Sequence, residues 1–361
     1  MSKSVYIHIP FCRNICSYCD FCKLLYKKDW ADFYLDKLNE EILDRYLDDE
    51  IKTIYIGGGT PSCLSLSQIK KLLEICHNFH LSSQIEFTFE CNLDDITEEI
   101  LYLLKLNGVN RLSIGIQSFN EDNLYFLNRK HTLEEAEEKM ALIRKLGFNN
   151  VNIDLMYALP TEDLFVLKKD LTMFLKLEPD HISTYSLMIE PHTMLYQKRI
   201  KPISEDMDAL MYKTIIKTLE KKGYRHYEVS NFAKEGYESK HNLTYWNNEE
   251  YYGFGLGASG YIDDIRYTNT KSLKNYLDGF YHGEQEILSL KDVMDNELML
   301  GFRKCEGVSL EKFKRKFGRN MEDCYPIKPL LKNKDLKEED GYIFIPKDKF
   351  YIMNEILLKM I

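Results

Sequence analysis

Short β-branched runs alternate with amphipathic stretches through the first half of the chain. The runs are VYIHIP (5–10), TIYIGGG (53–59), EFTFEC (86–91), RLSIGIQS (111–118), NVNIDLMY (150–157) and HISTYSLM (181–188). Between them, LDKLNEEILDRYL (35–47), LSQIKKLLEICHNF (66–79), EEAEEKMALIRKLG (134–147) and TEDLFVLKKDLTMFLKL (161–177) carry apolar residues at i, i+3 and i+4 with charges opposite, the helical period. Strands separated by helices of this length pair in parallel through right-handed crossovers. Six such strands predict an α/β fold with a partial (β/α)6 TIM-like barrel, its functional loops at the strand C-termini.

Beyond residue 200 the pattern changes. A helix over roughly 205–222 leads to YRHYEVSNFA and then to HNLTYWNNEEYYGFGLGASGY (241–261), a Gly- and aromatic-rich stretch without clean periodicity. From about 288 the order reads helix, helix, helix, hairpin-like YIFIPKDKFYIM (342–353), short helix, which suits a small winged-helix-like domain. The expected division is therefore a barrel over 1–200, an α+β extension over 201–285 and a C-terminal domain over 286–361. Segment 309–340 mixes Lys and Arg with Glu and Asp, so it reads as a packing or docking module and not as a DNA binder.

Composition narrows the class. A chain of 361 residues, 44% hydrophobic, fills a sizeable core without external staples. The net charge of −9 argues against nucleic acid as a partner. Nine cysteines at uneven spacing, with no apolar run of signal-peptide or membrane-span length, predict a soluble cytoplasmic protein whose thiols stay reduced or hold a metal.

Four of those cysteines crowd into HIPFCRNICSYCDFC (8–22), in a loop leaving the first strand. Thiolates so placed converge on one iron–sulfur cluster or one zinc ion. Structural zinc sites usually split their ligands into two distant pairs, and the ferredoxin run ending in Cys-Pro is absent. What remains, C-x3-C-x2-C, resembles the cluster loop of radical S-adenosylmethionine (SAM) enzymes. That resemblance implies that Cys12, Cys16 and Cys19 bind three irons of a [4Fe-4S] cluster and leave the fourth iron to the amino and carboxylate groups of SAM. Cys22 lies outside the motif; Cys63, Cys76, Cys91, Cys305 and Cys324 are isolated and read as structural.

Polar groups recur at the strand ends: GGGTPS (57–62), Glu90, Asn92, Gln117, Ser118, Asp154, and Arg129 shortly after strand four. Their repetition at one mouth suggests a ligand site. Together with YIHIPFCRNICSYCDF, NRLSIGIQSF, LNRKHT, NIDLMYALP, HISTYSLMIEPHT, YEVSNFA, HNLTYW and GFGLGASGY, these motifs resemble the oxygen-independent coproporphyrinogen III oxidases and their close relatives, the HemW-type heme chaperones. The match runs from about residue 4 to 270 and more weakly beyond. It implies a radical SAM barrel with SAM contacts from Tyr6, Tyr18, Gly58, Gly59, Thr60, Glu90, Gln117, Arg129 and Asp154. Three departures stand out: Ala158 in YALP where a Gly is common, Thr161 in the following turn, and Ser259 where relatives often carry His.

Between the two relatives, the chaperone fits better. Only eleven residues precede Cys12, and the extra thiol Cys22 falls three residues after Cys19, whereas the oxidase has a longer leading segment and a Cys two residues on. HNLTYW (241–246) matches an H-N-x-x-Y-W motif linked to heme in the chaperones. By that resemblance His241, Asn242, Tyr245 and Trp246 are heme-site residues, with His241 able to supply an axial nitrogen and the two aromatic rings as porphyrin faces. The expected protein carries a [4Fe-4S] cluster, SAM and heme, and hands heme to acceptor proteins, a membrane-associated one among them. An electron donor such as flavodoxin or ferredoxin enters only if SAM is cleaved. The alternatives are oxidative decarboxylation of coproporphyrinogen III to protoporphyrinogen IX, and radical chemistry on an unrelated substrate.

Overall fold

The computed structural model describes residues 3–361. The six runs form parallel strands, Lys3–Ile9, Glu50–Gly58, His80–Asn92, Arg111–Gln117, Val151–Tyr157 and His181–Ser186, side by side in chain order. Alternation along each strand sends Val5, Ile7, Ile54, Ile56, Phe89, Leu112, Ile114, Ile153 and Ile182 to the face covered by helices, where all are fully buried. Truncating one such side chain to Ala costs about 2–5 kcal/mol.

The other face, lining the barrel interior, is polar and also buried. Ser4, Thr53, Glu86, Thr88, Arg111, Ser113, Asn152, His181 and Ser183 stand there in place of the branched apolar side chains that usually fill such a barrel. Asn152 and His181 link several of them, while Thr88 Oγ1 and Arg111 Nε have no protein partner. The Asn152 amide donates to Ser113 Oγ and to Asp154 Oδ1, each at 2.8 Å, and His181 Nδ1 donates to Asn152 Oδ1 at 2.7 Å. Tyr227 in turn donates its hydroxyl to His181 Nε2 at 2.7 Å, which fixes the tautomer of that ring.

The predicted helices are present with altered ends. They span Lys28–Arg45, Leu66–Ile75, Leu133–Lys145, Leu164–Lys176 and Glu205–Lys221. Ser65 and Thr132 begin theirs with full capping boxes, and Asp163 starts its helix three residues later than the apolar spacing suggests because its carboxylate takes the N–H groups of Phe165 and Val166.

The stretch 201–285 feeds both edges of the barrel sheet. Tyr251–Phe254 lies parallel to the first strand, with Ser4 opposite Tyr251 and Ile7 opposite Phe254. Ser259–Ile262, Ile265–Asn269 and His282–Ile287 continue antiparallel beyond it, while Asn231–Ala233 and Arg225–Glu228 extend the far edge, making twelve strands. The segment around 282–292, expected as a domain boundary, contains the outermost strand of this sheet and the start of helix Leu290–Gly301.

HNLTYW is helical within Lys240–Trp246. At the C-terminus the expected hairpin over 342–353 is corrected: the paired strands are Lys337–Glu339 and Tyr342–Phe344, and Lys347–Ile352 is a 3-10 helix. Asp340 and Gly341, both at positive φ, make the tight turn, and Pro346 ends the strand.

Ala158 and Thr161 fit the turn in their own ways. Ala158 adopts φ +62°, a left-handed conformation that costs a residue with a Cβ roughly 1–2 kcal/mol. The Thr161 hydroxyl donates to Asn123 Oδ1 at 2.7 Å and ties the turn to the neighbouring helix. Among the described residues no helix is long and apolar enough to cross a membrane.

Candidate functional site

Pro10 ends the first strand, and the chain leaves it into the cysteine loop. The loop is closed at its base, where Phe11–Cys12 pairs with Leu24–Leu25 and the Leu24 N–H donates to the Pro10 carbonyl at 2.6 Å. Cys12, Cys16 and Cys19 all line one cavity of about 310 Å³ at the C-terminal mouth of the barrel. Cys22 does not. It faces Gly257, where an added Cβ would come within 2.9 Å of its own, and its carbonyl accepts from His8 Nε2 at 2.7 Å.

Burial pushes the Cys12 thiol up to about 11, opposed by the Thr60 hydroxyl at 3.7 Å and by Lys23. Burial also raises Cys19, against the pull of Lys23, whose ammonium bonds the Cys19 carbonyl. A metal bound here would take the place of their protons.

The glycine triplet now has a physical reason. A Cβ on Gly59 would meet the Phe11 carbonyl at 2.7 Å and Cys12 Sγ at 2.9 Å, so only glycine lets this turn lie against the cysteine loop. Gly58, at φ +117°, turns its N–H to the Glu90 carboxylate at 3.1 Å.

The same cavity gathers Tyr18, Gly58, Gly59, Thr60, Glu90, Asn92, Gln117, Arg129 and Asp154 from five strands or their loops. Glu90 accepts the Tyr55 hydroxyl at 2.6 Å. Burial first, then the neighbouring Asp154, lifts its carboxyl to about 7, while Tyr55, Gly58 and Arg111 oppose the rise. Burial raises Asp154 too, against Asn152, Ser183, Arg129 and Arg111. Arg129 donates to the Gly115 carbonyl at 2.8 Å and reaches the Tyr18 hydroxyl at 3.4 Å, but its buried Nε has no protein partner. A buried, unpartnered guanidinium N–H at a cavity wall fits an anionic ligand group. Gln117 sits at φ +75°, a strained conformation of the kind that collects at ligand sites.

Two of the expected residues stand outside this wall. Tyr6 lies beneath it, its hydroxyl 2.9 Å from His8 Nδ1, and Ser118 is turned to Asp170. Tyr185, Ser186 and Met188 complete the mouth and were missed. Tyr185 and Ser186 end the sixth strand and Met188 follows it, so the rule that selected the ends of strands three to five also reaches them.

The helix Lys240–Trp246 occupies the opposite end of the barrel. Ser239 caps it, and the N–H groups of Lys240 and His241 both donate to the Glu86 carboxylate at 3.0 Å. The Ser4 and Thr244 hydroxyls pair at 2.9 Å. His241 is 1% exposed, with Nδ1 2.7 Å from Thr53 Oγ1, Nε2 2.8 Å from the Tyr245 hydroxyl, and its ring stacked on Tyr55. Burial lowers its pKa to about 3, so the ring is neutral. In this conformation both ring nitrogens of His241 are engaged inside the fold.

Tyr245 and Trp246 reach outward. Both line a cavity of about 840 Å³, and Trp246 also borders a second of about 1040 Å³ against the C-terminal domain. Arg303 lies over the Trp246 ring at 5.6 Å. Asn242 serves the helix cap through its N–H, 3.3 Å from Ser239 Oγ, and borders neither cavity. Ser259 stands on the wall of the first cavity.

The chain is similar to known proteins along nearly its whole length. The sequence profile of the Radical SAM superfamily matches residues 6–170, and that of the HemN C-terminal domain matches 288–347. The chain is 41% identical to "Heme chaperone HemW" of Lactococcus lactis subsp. lactis, over 99% of this chain and 97% of the relative. It is 39% identical to the protein of that name from Bacillus subtilis, covering 98% of each, and 35% identical to that of Escherichia coli, covering 86% and 85%. Among solved structures, coproporphyrinogen III oxidase (HemN) from Escherichia coli, a radical SAM enzyme, superposes with TM-score 0.87 at 24% identity, over 99% of this chain and 89% of that one, which establishes the shared fold.

Proposed function

Because the chain belongs to the HemW family of radical SAM proteins, we propose that it is a heme chaperone, holding heme beside Trp246 and delivering it to acceptor proteins. Its family implies a [4Fe-4S] cluster and SAM at the barrel mouth. Cys12, Cys16 and Cys19 would hold the cluster, which when bound supplies the electron that cleaves the C–S bond of SAM. Arg129 would pair the SAM carboxylate, and Glu90 would accept from the ribose diol.

The observation that carries the chaperone reading is the separation of the two sites. The cysteine-lined cavity and the cavities beside Trp246 share no lining residue and lie at opposite ends of the barrel. Radical chemistry needs its target atom within about 3–3.5 Å of the reacting atom. Cargo held at Trp246 is out of that reach, which favours carriage over decarboxylation.

The wider cleft also suits the acidic edge of a heme. Lys3, Lys52, Lys304, Lys312, Arg315 and Lys316 line it, against Glu249, Glu250, Asp264 and Glu297. Lys3 pairs with Glu250, Lys52 with Glu249, Lys304 with Glu306 and Lys316 with Glu297, which leaves Lys312 and Arg315 without carboxylate partners among the described residues. Two uncommitted cations in a chain of net charge −9 match two propionates.

The test is a titration of full-length protein, reconstituted anaerobically with iron and sulfide, with ferric heme. We expect binding near one equivalent, and Trp246→Ala to weaken it roughly ten-fold or more through lost aromatic contact and burial. Absence of binding would remove the chaperone reading.

SAM affinity should in addition depend on pH. Only the ionised Glu90 carboxylate accepts both diol hydroxyls, and its carboxyl titrates near 7. Affinity measured by calorimetry should therefore rise from pH 6 to 8 and level off above, and Glu90→Gln should flatten the profile. A flat profile in the parent protein would take Glu90 out of the SAM site.

A further inference from the structure

The cavity of about 840 Å³ has an unusual wall: four tyrosines, Tyr245, Tyr251, Tyr261 and Tyr267, and one cation, Arg266. Neither this cavity nor the adjoining cleft is lined by any His, Cys or Met. An iron held here must therefore take its protein ligand from oxygen or a lysine amine, and the phenolate of tyrosine is an established axial ligand of ferric heme.

Three of the four phenols are already committed. Tyr245 bonds His241 Nε2 at 2.8 Å, Tyr261 donates to Asp264 Oδ1 at 2.9 Å, and Tyr267 accepts the Gly253 N–H at 2.9 Å. The Tyr251 hydroxyl has no hydrogen-bond partner among the described residues, yet it is not sealed from the cavity. Its ring is held edge-on against Tyr245, with centroids 4.6 Å apart. Its backbone is fixed between Ser4 and Tyr261 at the start of a sheet strand. A rigid backbone and a packed ring hold the oxygen in place without using it. Arg266, on the same wall, favours the phenolate, whose pKa burial otherwise raises.

The remaining oxygen donors are poorer. Glu284 and Glu286 lie on the exposed edge strand, and Glu249 is paired with Lys52. On the adjoining cleft Lys304 is engaged with Asn247 and Glu306, and Lys316 with Glu297.

We infer that Tyr251 is the heme-iron ligand of this protein, with Trp246 and Tyr245 as the walls of the porphyrin site and Arg266 as the charge that supports the phenolate. This rests on the chaperone reading above and adds to it a mode of release. Phenolate is a hard ligand suited to Fe(III) and weak for Fe(II). One electron from an external one-electron reductant, with one proton, converts Fe(III)–phenolate to Fe(II) and neutral Tyr251; the Fe–O bond breaks and the proton goes to the phenol oxygen. Ferric heme is held and ferrous heme is let go.

The experiment uses full-length protein loaded with ferric heme, with resonance Raman spectra excited in the heme bands and heme dissociation followed by transfer to an excess of apomyoglobin. The parent should show iron–tyrosinate modes of a high-spin ferric heme, and dithionite should speed dissociation. Tyr251→Phe should lose those modes and release ferric heme at least about ten-fold faster, whereas Tyr261→Phe, in the same cavity, should keep them. Retention of the tyrosinate modes in Tyr251→Phe, or an imidazole- or thiolate-ligated spectrum in the parent, would overturn the assignment. Failure of the parent to bind heme at all would instead refute the chaperone reading on which it rests.

Discussion

Alanine at Cys12, Cys16 or Cys19 should abolish cluster assembly, while Cys22→Ala should retain about four irons per chain. The difference follows from position. The first three thiols line the cavity at the barrel mouth, and Cys22 faces Gly257 outside it. A [4Fe-4S] cluster held by three thiolates has no spare ligand, so each loss is close to complete. Iron and sulfide analysis after anaerobic reconstitution reads the result directly. Loss of iron in Cys22→Ala together with full retention in Cys12→Ala would contradict the ligand set.

The second large effect is on SAM. Arg129→Ala and Asp154→Ala should each weaken SAM binding roughly ten- to a hundred-fold, since charge-assisted hydrogen bonds contribute about 1.5–3 kcal/mol each. Iron content should stay unchanged, because neither side chain belongs to the cysteine loop. Arg129 has the stronger physical case: its buried Nε lacks a partner in the protein alone. Asp154 is already bonded by Asn152 at 2.8 Å, so part of its loss is repaid where that amide finds another acceptor. Calorimetry on cluster-loaded protein distinguishes the two. Unchanged affinity in both variants would assign the polar mouth to a different ligand.

The barrel was legible because its strands follow a local rule. Each of the six β-branched runs lies close to an observed strand, and the polar residues at their ends converge on one cavity. The cysteine loop was legible because thiol spacing is itself the signal. The edges of the sheet were not. Tyr251–Phe254 pairs with a strand some 250 positions earlier in the chain, a contact that no local period encodes. The helix Lys240–Trp246 is also hidden, since seven residues show no full amphipathic repeat and its N-terminus is held by Glu86, more than 150 residues away. From HNLTYW alone, His241 reads as a residue able to supply an axial nitrogen. The fold instead turns its imidazole inward, between Thr53 and Tyr245.

This inversion gives the motif a second meaning. His241 stacks on Tyr55, and Tyr55 holds Glu90 at the barrel mouth, so the histidine supports both ends of the polar interior. Trp246, at the outward end of the same helix, borders both outer cavities, and Tyr245 borders the first.

The central claim is heme carriage, and transfer tests it most directly. Full-length protein carrying the cluster and one equivalent of heme is mixed with an apo heme enzyme that acquires activity on receiving heme. In parallel, the same preparation is given SAM, a reductant and coproporphyrinogen III. A chaperone activates the acceptor in step with its own loss of heme and leaves the porphyrinogen carboxylates intact. SAM-dependent formation of protoporphyrinogen IX, with no activation of the acceptor, would contradict the claim and identify a decarboxylase.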